Sequence, residues 1–335
     1  MKTSKKLLVM GRPGLIERYT PNAALYADYE VVCVPVGTGK EEILAAGGDA
    51  QYLICDAIAE VSGDLIRSMP DLKIIHSNGV AFNRIDVEAA KQRHVYVCNC
   101  KGMNATAVAE QAVLLMTGLL RGVVTGDWAL RDGRQIQVKE GYMAAGSLKE
   151  LGECTVGLVG FGDIARATAR LLGAYGATVC YYDVFRAPAE VEQAYGAVYQ
   201  ELDGLLASSD LVSLHVPVLK ETRNMVDGAF LGKMKKGAYL VNTARGELVD
   251  EAALLDSIRK GHLAGAGLDT ITGEPVAAGH PMLQAEPEVE EKLLFSCHIG
   301  GITGASFRRG YEMIWQDFAK VAAGEKPDHV VNAWE

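Results

Sequence analysis

The run Val156-Gly157-Leu158-Val159-Gly160-Phe161-Gly162-Asp163-Ile164-Ala165 constrains this chain more than any other stretch. An apolar, strand-like segment stops at two closely spaced glycines, and a helical pattern follows at once. Gly160 suits a tight turn, Gly162 lets backbone approach a charged group, and Ala165 is small enough for close helix–strand packing. The free N–H groups at the start of such a helix favour an anion, and a pyrophosphate fits this spacing. A dinucleotide site is therefore expected at Gly160, Phe161, Gly162, Asp163 and Ile164. The motif belongs to a strand–helix–strand unit, so it also predicts a parallel sheet around it.

The rest of the chain supplies that setting. Strands are expected at 156–160, 178–183, 211–216, 239–242, 267–269 and 293–296, with helices starting near Ile164, Leu202, Ala229 and Glu251. An earlier series places strands at 7–10, 31–34, 52–55, 74–76 and 95–98, with helical patterns such as 85–93 between them. Such alternation predicts parallel sheets with helices on both faces. At 335 residues the chain exceeds one typical core, so two domains are expected. The expected fold is α/β, with two open parallel-sheet domains. A long apolar helical pattern at 105–120 links the two series. The glycine-rich, mixed segment 126–151 reads as an arm or loop suited to a subunit contact, and a last helix at 306–323 can fold back on the first domain.

Asp183 ends the strand after the glycine motif. A carboxylate there accepts hydrogen bonds from ribose hydroxyls and repels a 2′-phosphate, which favours NAD over NADP. Arg186 follows closely and softens that preference. Gly37-Thr38-Gly39-Lys40 lacks the full phosphate-loop spacing, and Gly11-Arg12-Pro13-Gly14 reads as a plain turn.

A formal net charge of −9 argues against a nucleic-acid partner. The basic start, 1–6, is followed by an apolar stretch too short for a signal peptide. No apolar run approaches the ~18 residues of a membrane span, so a cytoplasmic protein without a membrane partner is expected. Seven cysteines (Cys33, Cys55, Cys98, Cys100, Cys154, Cys180 and Cys297) include no CxxC pair and mostly sit among apolar neighbours. They read as reduced thiols, and no further metal ligands lie near Cys98-Asn99-Cys100 in sequence, so no metal site is expected.

Three polar residues follow later strands: Arg245 after Val241-Asn242-Thr243-Ala244, Glu274 after Gly267-Leu268-Asp269, and His298 after Phe295-Ser296-Cys297. In an open α/β sheet, ligands bind beyond these strand ends. Reduction of a 2-oxo acid needs a hydride, which a nicotinamide supplies, a proton, and a group that holds the carboxylate. An imidazole moves protons near neutral pH, a neighbouring carboxylate tunes it, and a guanidinium clamps a carboxylate and polarises a carbonyl. His298, Glu274 and Arg245 match these three needs.

Across most of its length, and most densely at 104–301, the chain resembles the D-isomer-specific 2-hydroxyacid dehydrogenase family. The motifs are Asn104-Ala105-Thr106-Ala107-Val108-Ala109-Glu110, the glycine run, Leu214-His215-Val216-Pro217 with Glu221-Thr222-Arg223, Asn242 through Asp250, Gly267-Leu268-Asp269, Glu274-Pro275 and His298-Ile299-Gly300-Gly301. The resemblance implies that Arg245, Glu274 and His298 are the catalytic trio. It implies cofactor contacts at His215, Val216, Pro217, Thr222, Thr243, Ala244, Asp269 and Gly300. It implies a flavodoxin-like split substrate domain, 1–104 plus 302–335, around a Rossmann NAD-binding domain, 105–301, and a homodimer held through the latter. It implies a small 2-hydroxy or 2-oxo acid as substrate.

The segment His76-Ser77-Asn78-Gly79-Val80-Ala81-Phe82-Asn83-Arg84-Ile85-Asp86 resembles the family's substrate loop. Substrate contacts are implied at Asn78, Gly79, Val80, Ala81, Asn104 and Arg245. Ala81 stands where members often have glycine, and its methyl is expected to narrow the pocket or shift φ. Asn83 stands where members often have aspartate. Phe82, Met103, Tyr142 and His76 are candidates for the pocket wall. Similar formate dehydrogenases carry glutamine at the catalytic glutamate, and similar phosphite dehydrogenases carry a loop lysine where Asn78 stands, so neither reaction is expected. An alternative on this scaffold is an NAD-sensing corepressor, which keeps the trio. The chain shows no evident tail of the kind such proteins use, so turnover is expected.

Overall fold

A computed structural model describes residues 5–332. Chain packing divides it into two compact units, Met1–Asn104 with Ile302–Glu335, and Ala105–Gly301.

In the first unit, β1 (Lys5–Met10), β2 (Tyr29–Val34), β3 (Tyr52–Cys55), β4 (Ile74–Ser77) and β5 (Tyr96–Cys98) form one sheet in the order β2-β1-β3-β4-β5. Every pairing is parallel. The helix Gly304–Ala322 packs on this sheet, as its sequence pattern requires. Tyr311, Ile314, Trp315 and Phe318 recur at helical spacing on one face and join Leu7, Val9, Tyr52, Ile54 and Ile74 in a single core. Each such buried side chain contributes about 1.5–3 kcal/mol.

The same helix buries Asp317 completely. Its carboxylate bonds His76 Nε2 (3.1 Å), His329 Nδ1 (2.9 Å) and the Asp328 N–H (2.8 Å). Burial pushes the Asp317 carboxyl upward, but hydrogen bonds from His76 and Asp328 outweigh it and hold the group below the usual carboxylate range. The Cys98 thiol lies in this cluster, with ligand-type atoms of His76, Cys98 and Asp317 all within 4.8 Å of one another. This corrects the expectation that nothing near Cys98 offers further ligands. The neighbours come from residues 76 and 317, which no local spacing reveals. The network closes through protein groups, because His76 Nδ1 also meets Ser77 O at 2.8 Å.

The second unit holds β6 (Thr155–Val159), β7 (Thr178–Tyr182), β8 (Ala197–Tyr199), β9 (Leu211–Leu214), β10 (Tyr239–Asn242), β11 (Gly265–Leu268) and β12 (Leu293–Phe295). They pair in the order β12-β11-β10-β9-β6-β7-β8, all parallel. Strand β8 is additional to the six expected. It is a three-residue edge strand with Val198 exposed, so no apolar run announces it. The order leaves β6 towards β7 on one side and β9 on the other. That reversal opens a crevice at the strand ends of β6 and β9.

The helix Ala105–Leu120 lies wholly in this unit and packs on the helix Asp163–Ala174. The expected arm or loop at 126–151 is an arm built from two helices, Val123–Arg131 and Gln135–Ala145. Two of its glycines mark helix ends, Gly133 (φ 72°) and Gly146 (φ 56°), which take the left-handed turn that stops a helix. Val123, Leu130, Ile136 and Met143 on these helices are exposed. Among the described residues, no single helix is long and apolar enough to cross a membrane.

Candidate active site

The crevice of the second sheet is built by close backbone contact. Gly160 turns the chain at φ 95°, and its N–H bonds Tyr182 O at 2.7 Å. A Cβ on Gly160 would sit 2.6 Å from His215 O and 2.9 Å from Val216 Cγ1. Only glycine meets both the conformation and the space. Gly162 starts the helix Asp163–Ala174, and no side chain caps the free N–H groups of that end. Space in front of Gly162 is open, with no atom within 4 Å of an added Cβ. The helix N-terminus is thus available to an anion.

The other expected cofactor residues are held in different ways. Asp183 accepts Phe161 N–H (2.8 Å) and Phe185 N–H (3.1 Å), so its carboxylate is fixed in direction while lone pairs remain. The Phe161 ring is buried and stacks on Tyr181 with centroids 3.9 Å apart, so that residue offers the crevice no side chain. Arg186 is held by both oxygens of Glu192 (2.8 and 3.1 Å), which occupies the charge expected to weaken the preference for NAD. Thr222 Oγ1 staples its own turn through Pro217 O and Leu219 N, both at 2.7 Å.

His215 follows β9 with its Nε2 buried and unpartnered, and burial pushes its pKa down to about 4. Thr243 Oγ1, after β10, is a second buried polar atom without a partner. Orphaned polar atoms of this kind are rare in folded proteins and call for a ligand or water. They stand in the strand-end loops of the same sheet as the glycine cradle. The donor set and the space therefore fit a dinucleotide.

Arg245, Glu274 and His298 follow β10, β11 and β12, which are neighbouring strands. Strands about 4.8 Å apart place three successive loops side by side. Glu274 and His298 meet directly, through Oε2 and Nδ1. Both are partly exposed, with side-chain accessibilities of 33% and 42%. Asn242 shapes the Arg245 turn, accepting Ala244 N–H (2.9 Å) and donating to Arg245 O (2.8 Å). Arg245 Nη1 donates to Ala244 O at 2.7 Å.

His298 has φ 56°, one of three non-glycine residues with positive φ among those described. Such a conformation costs of order 1–3 kcal/mol and persists only when surrounding contacts impose it. Asp269 imposes it. This buried residue takes His298 N–H on its backbone carbonyl (2.8 Å), Ile299 N–H on Oδ1 (3.0 Å) and Gly300 N–H on Oδ2 (2.9 Å). Ser296 Oγ donates to Asp269 Oδ1 at 2.5 Å and accepts Gln111 Nε2 at 2.9 Å. Asp269 and Gly300 thus fix the histidine turn. Gln111 and Ser296 belong to that network and were not singled out in the sequence, where 185 residues separate them.

In the first unit, the loop after β4 is held by its carbonyls. Cys100 N–H bonds Gly79 O (2.9 Å), Asn99 Nδ2 bonds Val80 O (2.6 Å) and Ser77 Oγ bonds Ala81 O (2.7 Å). In a trans peptide the N–H points opposite its C=O. The N–H groups of Val80, Ala81 and Phe82 therefore point away from those three donors. Gly79 N–H turns to Ser77 Oγ (3.3 Å). Asn99 is a further residue the sequence did not flag. No residue from 77 to 83 has positive φ, so Ala81 occupies its place without backbone strain.

Asn78 is buried on the same loop, and half-buried Asn104 precedes the helix Ala105–Leu120. Three candidates for the pocket wall have close neighbours of their own. His76 lies in β4, buried with its ring on Asp317, and Met103 is buried against Gly310. Tyr142 lies in the arm, against Gly122.

A parallel sheet with a phosphate-ready helix end and an imidazole–carboxylate pair on adjoining loops defines the class of NAD-dependent oxidoreductases. Residues 113–300 match the family model for the D-isomer specific 2-hydroxyacid dehydrogenase, NAD binding domain. The chain belongs to that family. It is 34% identical to a glyoxylate reductase of Thermofilum pendens over 88% of this chain and 84% of the relative. It is 33% identical to a hydroxypyruvate reductase of Thermotoga maritima over 84% and 88%, respectively. It is similar to the NAD-complexed D-isomer specific 2-hydroxyacid dehydrogenase of Lactobacillus delbrueckii ssp. bulgaricus, with a TM-score of 0.84 and 28% identity over 98% of this chain and all of that one.

Proposed function

We infer that this protein interconverts a small D-2-hydroxy acid and its 2-oxo acid, with glyoxylate and hydroxypyruvate as the leading oxo acids. The observation that carries the reading is the His298–Glu274 pair at the strand ends of the dinucleotide sheet. The names of the two relatives support the choice of a short, polar substrate.

Bound NAD(H) supplies or takes the hydride at C2. Because Nδ1 is engaged by Glu274, His298 passes the proton through Nε2, to the carbonyl oxygen in reduction and from the hydroxyl in oxidation. Glu274 fixes the ring and its tautomer and balances the charge of the protonated ring. Arg245 binds the carboxylate and polarises the adjacent carbonyl. The outward amides of Val80 and Ala81 hold the carboxylate, in a loop that also includes Asn78 and Gly79, with Asn104 as a further contact. The helix start at Gly162 holds the pyrophosphate, Asp183 takes the adenosine ribose, and residues 215–217, 243–244 and 300 line the rest of the cofactor.

We further infer a cytoplasmic homodimer paired through the cofactor unit, with the exposed apolar side chains of the helical arm as its contact. The test is NADH oxidation across a panel of glyoxylate, hydroxypyruvate, pyruvate, and branched and aromatic 2-oxo acids. Turnover of at least one short member is expected. Silence across the whole panel contradicts the reading.

A further inference from the structure

The loop that carries Glu274 runs from Asp269 to His280 without helix or strand. Something outside it must hold the carboxylate in register with His298. Across 270–276, the hydrogen bonds to the rest of the fold among the described residues are few. One is the Glu274–His298 bond itself, and the other two both go to Glu251. Thr272 donates its N–H to Glu251 Oε1 (2.7 Å) and its Oγ1–H to Glu251 Oε2 (2.9 Å). The Glu251 carboxylate thereby grips main chain and side chain of a residue two positions before Glu274.

Glu251 is itself held firmly. It opens the helix Glu251–Arg259, which Asp250 caps through Ala253 N–H at 3.1 Å. A carboxylate in the first turn of a helix is also favoured by the helix dipole. Its side chain is 14% exposed. His280, at the far end of the loop, turns Nε2 towards Glu251 Oε2 at 3.6 Å while Nδ1 accepts Met282 N–H at 3.3 Å. Both ends of the loop therefore converge on one carboxylate.

Glu251 also lies six residues beyond Arg245, and the two loops touch between them. A Cβ on Gly246 would fall 2.1 Å from Ile271 C and 2.4 Å from Thr272 N. The Glu274 loop thus lies flat on the backbone next to Arg245, and Glu251 clamps it there.

We propose that Glu251 is a positioning residue for catalysis, which sets Glu274 against His298 by clamping Thr272. The inference rests on the roles given above to Glu274 and His298. Glu251 touches no reacting atom, and its contribution passes entirely through Glu274. Partners that orient the ligands of metal sites change activity by about 10–100-fold, which sets the scale expected of an orienting contact here.

The test is a double-variant cycle on the full-length protein, read by steady-state reduction of glyoxylate with NADH and by NADH binding. E251A is expected to lower kcat about tenfold while KM for glyoxylate and Kd for NADH stay within about twofold. E251Q keeps the length and an acceptor for the Thr272 N–H, so it is expected to recover most of kcat. T272V, with the hydroxyl removed, is expected to reproduce part of the loss. In an E274Q background, E251A is expected to add less than about twofold, because the group it positions is already gone.

Losses from E251A and E274Q that multiply independently would overturn the proposal, as would E251Q performing no better than E251A. If E251A fails to fold, the T272V/E274Q cycle decides by the same criterion. Full activity of E274Q alone would instead remove the assignment of the active site, and the role of Glu251 with it.

Discussion

Asp269 accepts the backbone N–H of His298 at 2.8 Å, and its carboxylate holds the next two N–H groups of the same turn. A buried aspartate, with two backbone bonds to its carboxylate and one to its main-chain carbonyl, thus fixes the one histidine in the second unit that carries a positive φ. The conformation that aims the ring is maintained from behind, by a residue on the neighbouring strand end.

Asp269→Asn leaves the shape but replaces one acceptor oxygen with a donor. Either Gly300 N–H or the pair of Ile299 N–H and Ser296 Oγ then faces an NH2 group. A buried donor left unsatisfied costs about 1–3 kcal/mol. We expect a lower melting temperature and a kcat reduced about 10–100-fold, on the scale seen for residues that orient the ligands of metal sites. Thermal unfolding together with steady-state kinetics checks this, and wild-type values for both would contradict it.

Gly160→Ala places a methyl 2.6 Å from His215 O at a φ of 95°. The strain and the clash act at the mouth of the crevice, so NADH affinity should fall at least about tenfold, with about 1–3 kcal/mol of stability lost. Fluorescence titration of NADH and thermal denaturation read the two effects separately. An alanine variant that binds NADH normally would show that the cradle is not where the dinucleotide lies.

His215 sets a pH dependence of stability. Its pKa falls from 6.5 to about 4 on folding, because burial disfavours the charged ring. Between those values the unfolded chain binds more protons than the folded one, so stability rises with pH across this window. Conversely, it is lost as pH falls from about 6.5 towards 4, at up to about 1.4 kcal/mol per pH unit. His215→Gln should flatten the slope of melting temperature between pH 6.5 and 5. An unchanged slope would assign the effect to other groups.

Much of this arrangement was legible in the sequence. The strands β3 and β10 were placed residue for residue and the other expected strands within one or two, while β8 was missed, because buried parallel strands read as short apolar runs between turn residues and a half-exposed edge strand does not. Arg245, Glu274 and His298 were legible as strand-end residues in an α/β alternation. The supporting contacts were not. Asn99 reaches Val80 across 19 residues, Ser296 and Gly300 reach Asp269 across 27 and 31, and Asp317 reaches His76 across 241. Such partners are set by sheet order, not by local spacing. The segment 126–151 was read as an arm or loop because it is glycine-rich and mixed, and the left-handed turns of Gly133 and Gly146 end two helices there.

The most direct test of the account is His298→Ala, measured for glyoxylate or hydroxypyruvate reduction and for NADH binding on the same preparation. The account predicts a loss of kcat on the order of 10²–10⁴-fold with the dissociation constant for NADH within about twofold of wild type. Retained turnover, or equal losses of turnover and NADH binding, would contradict it.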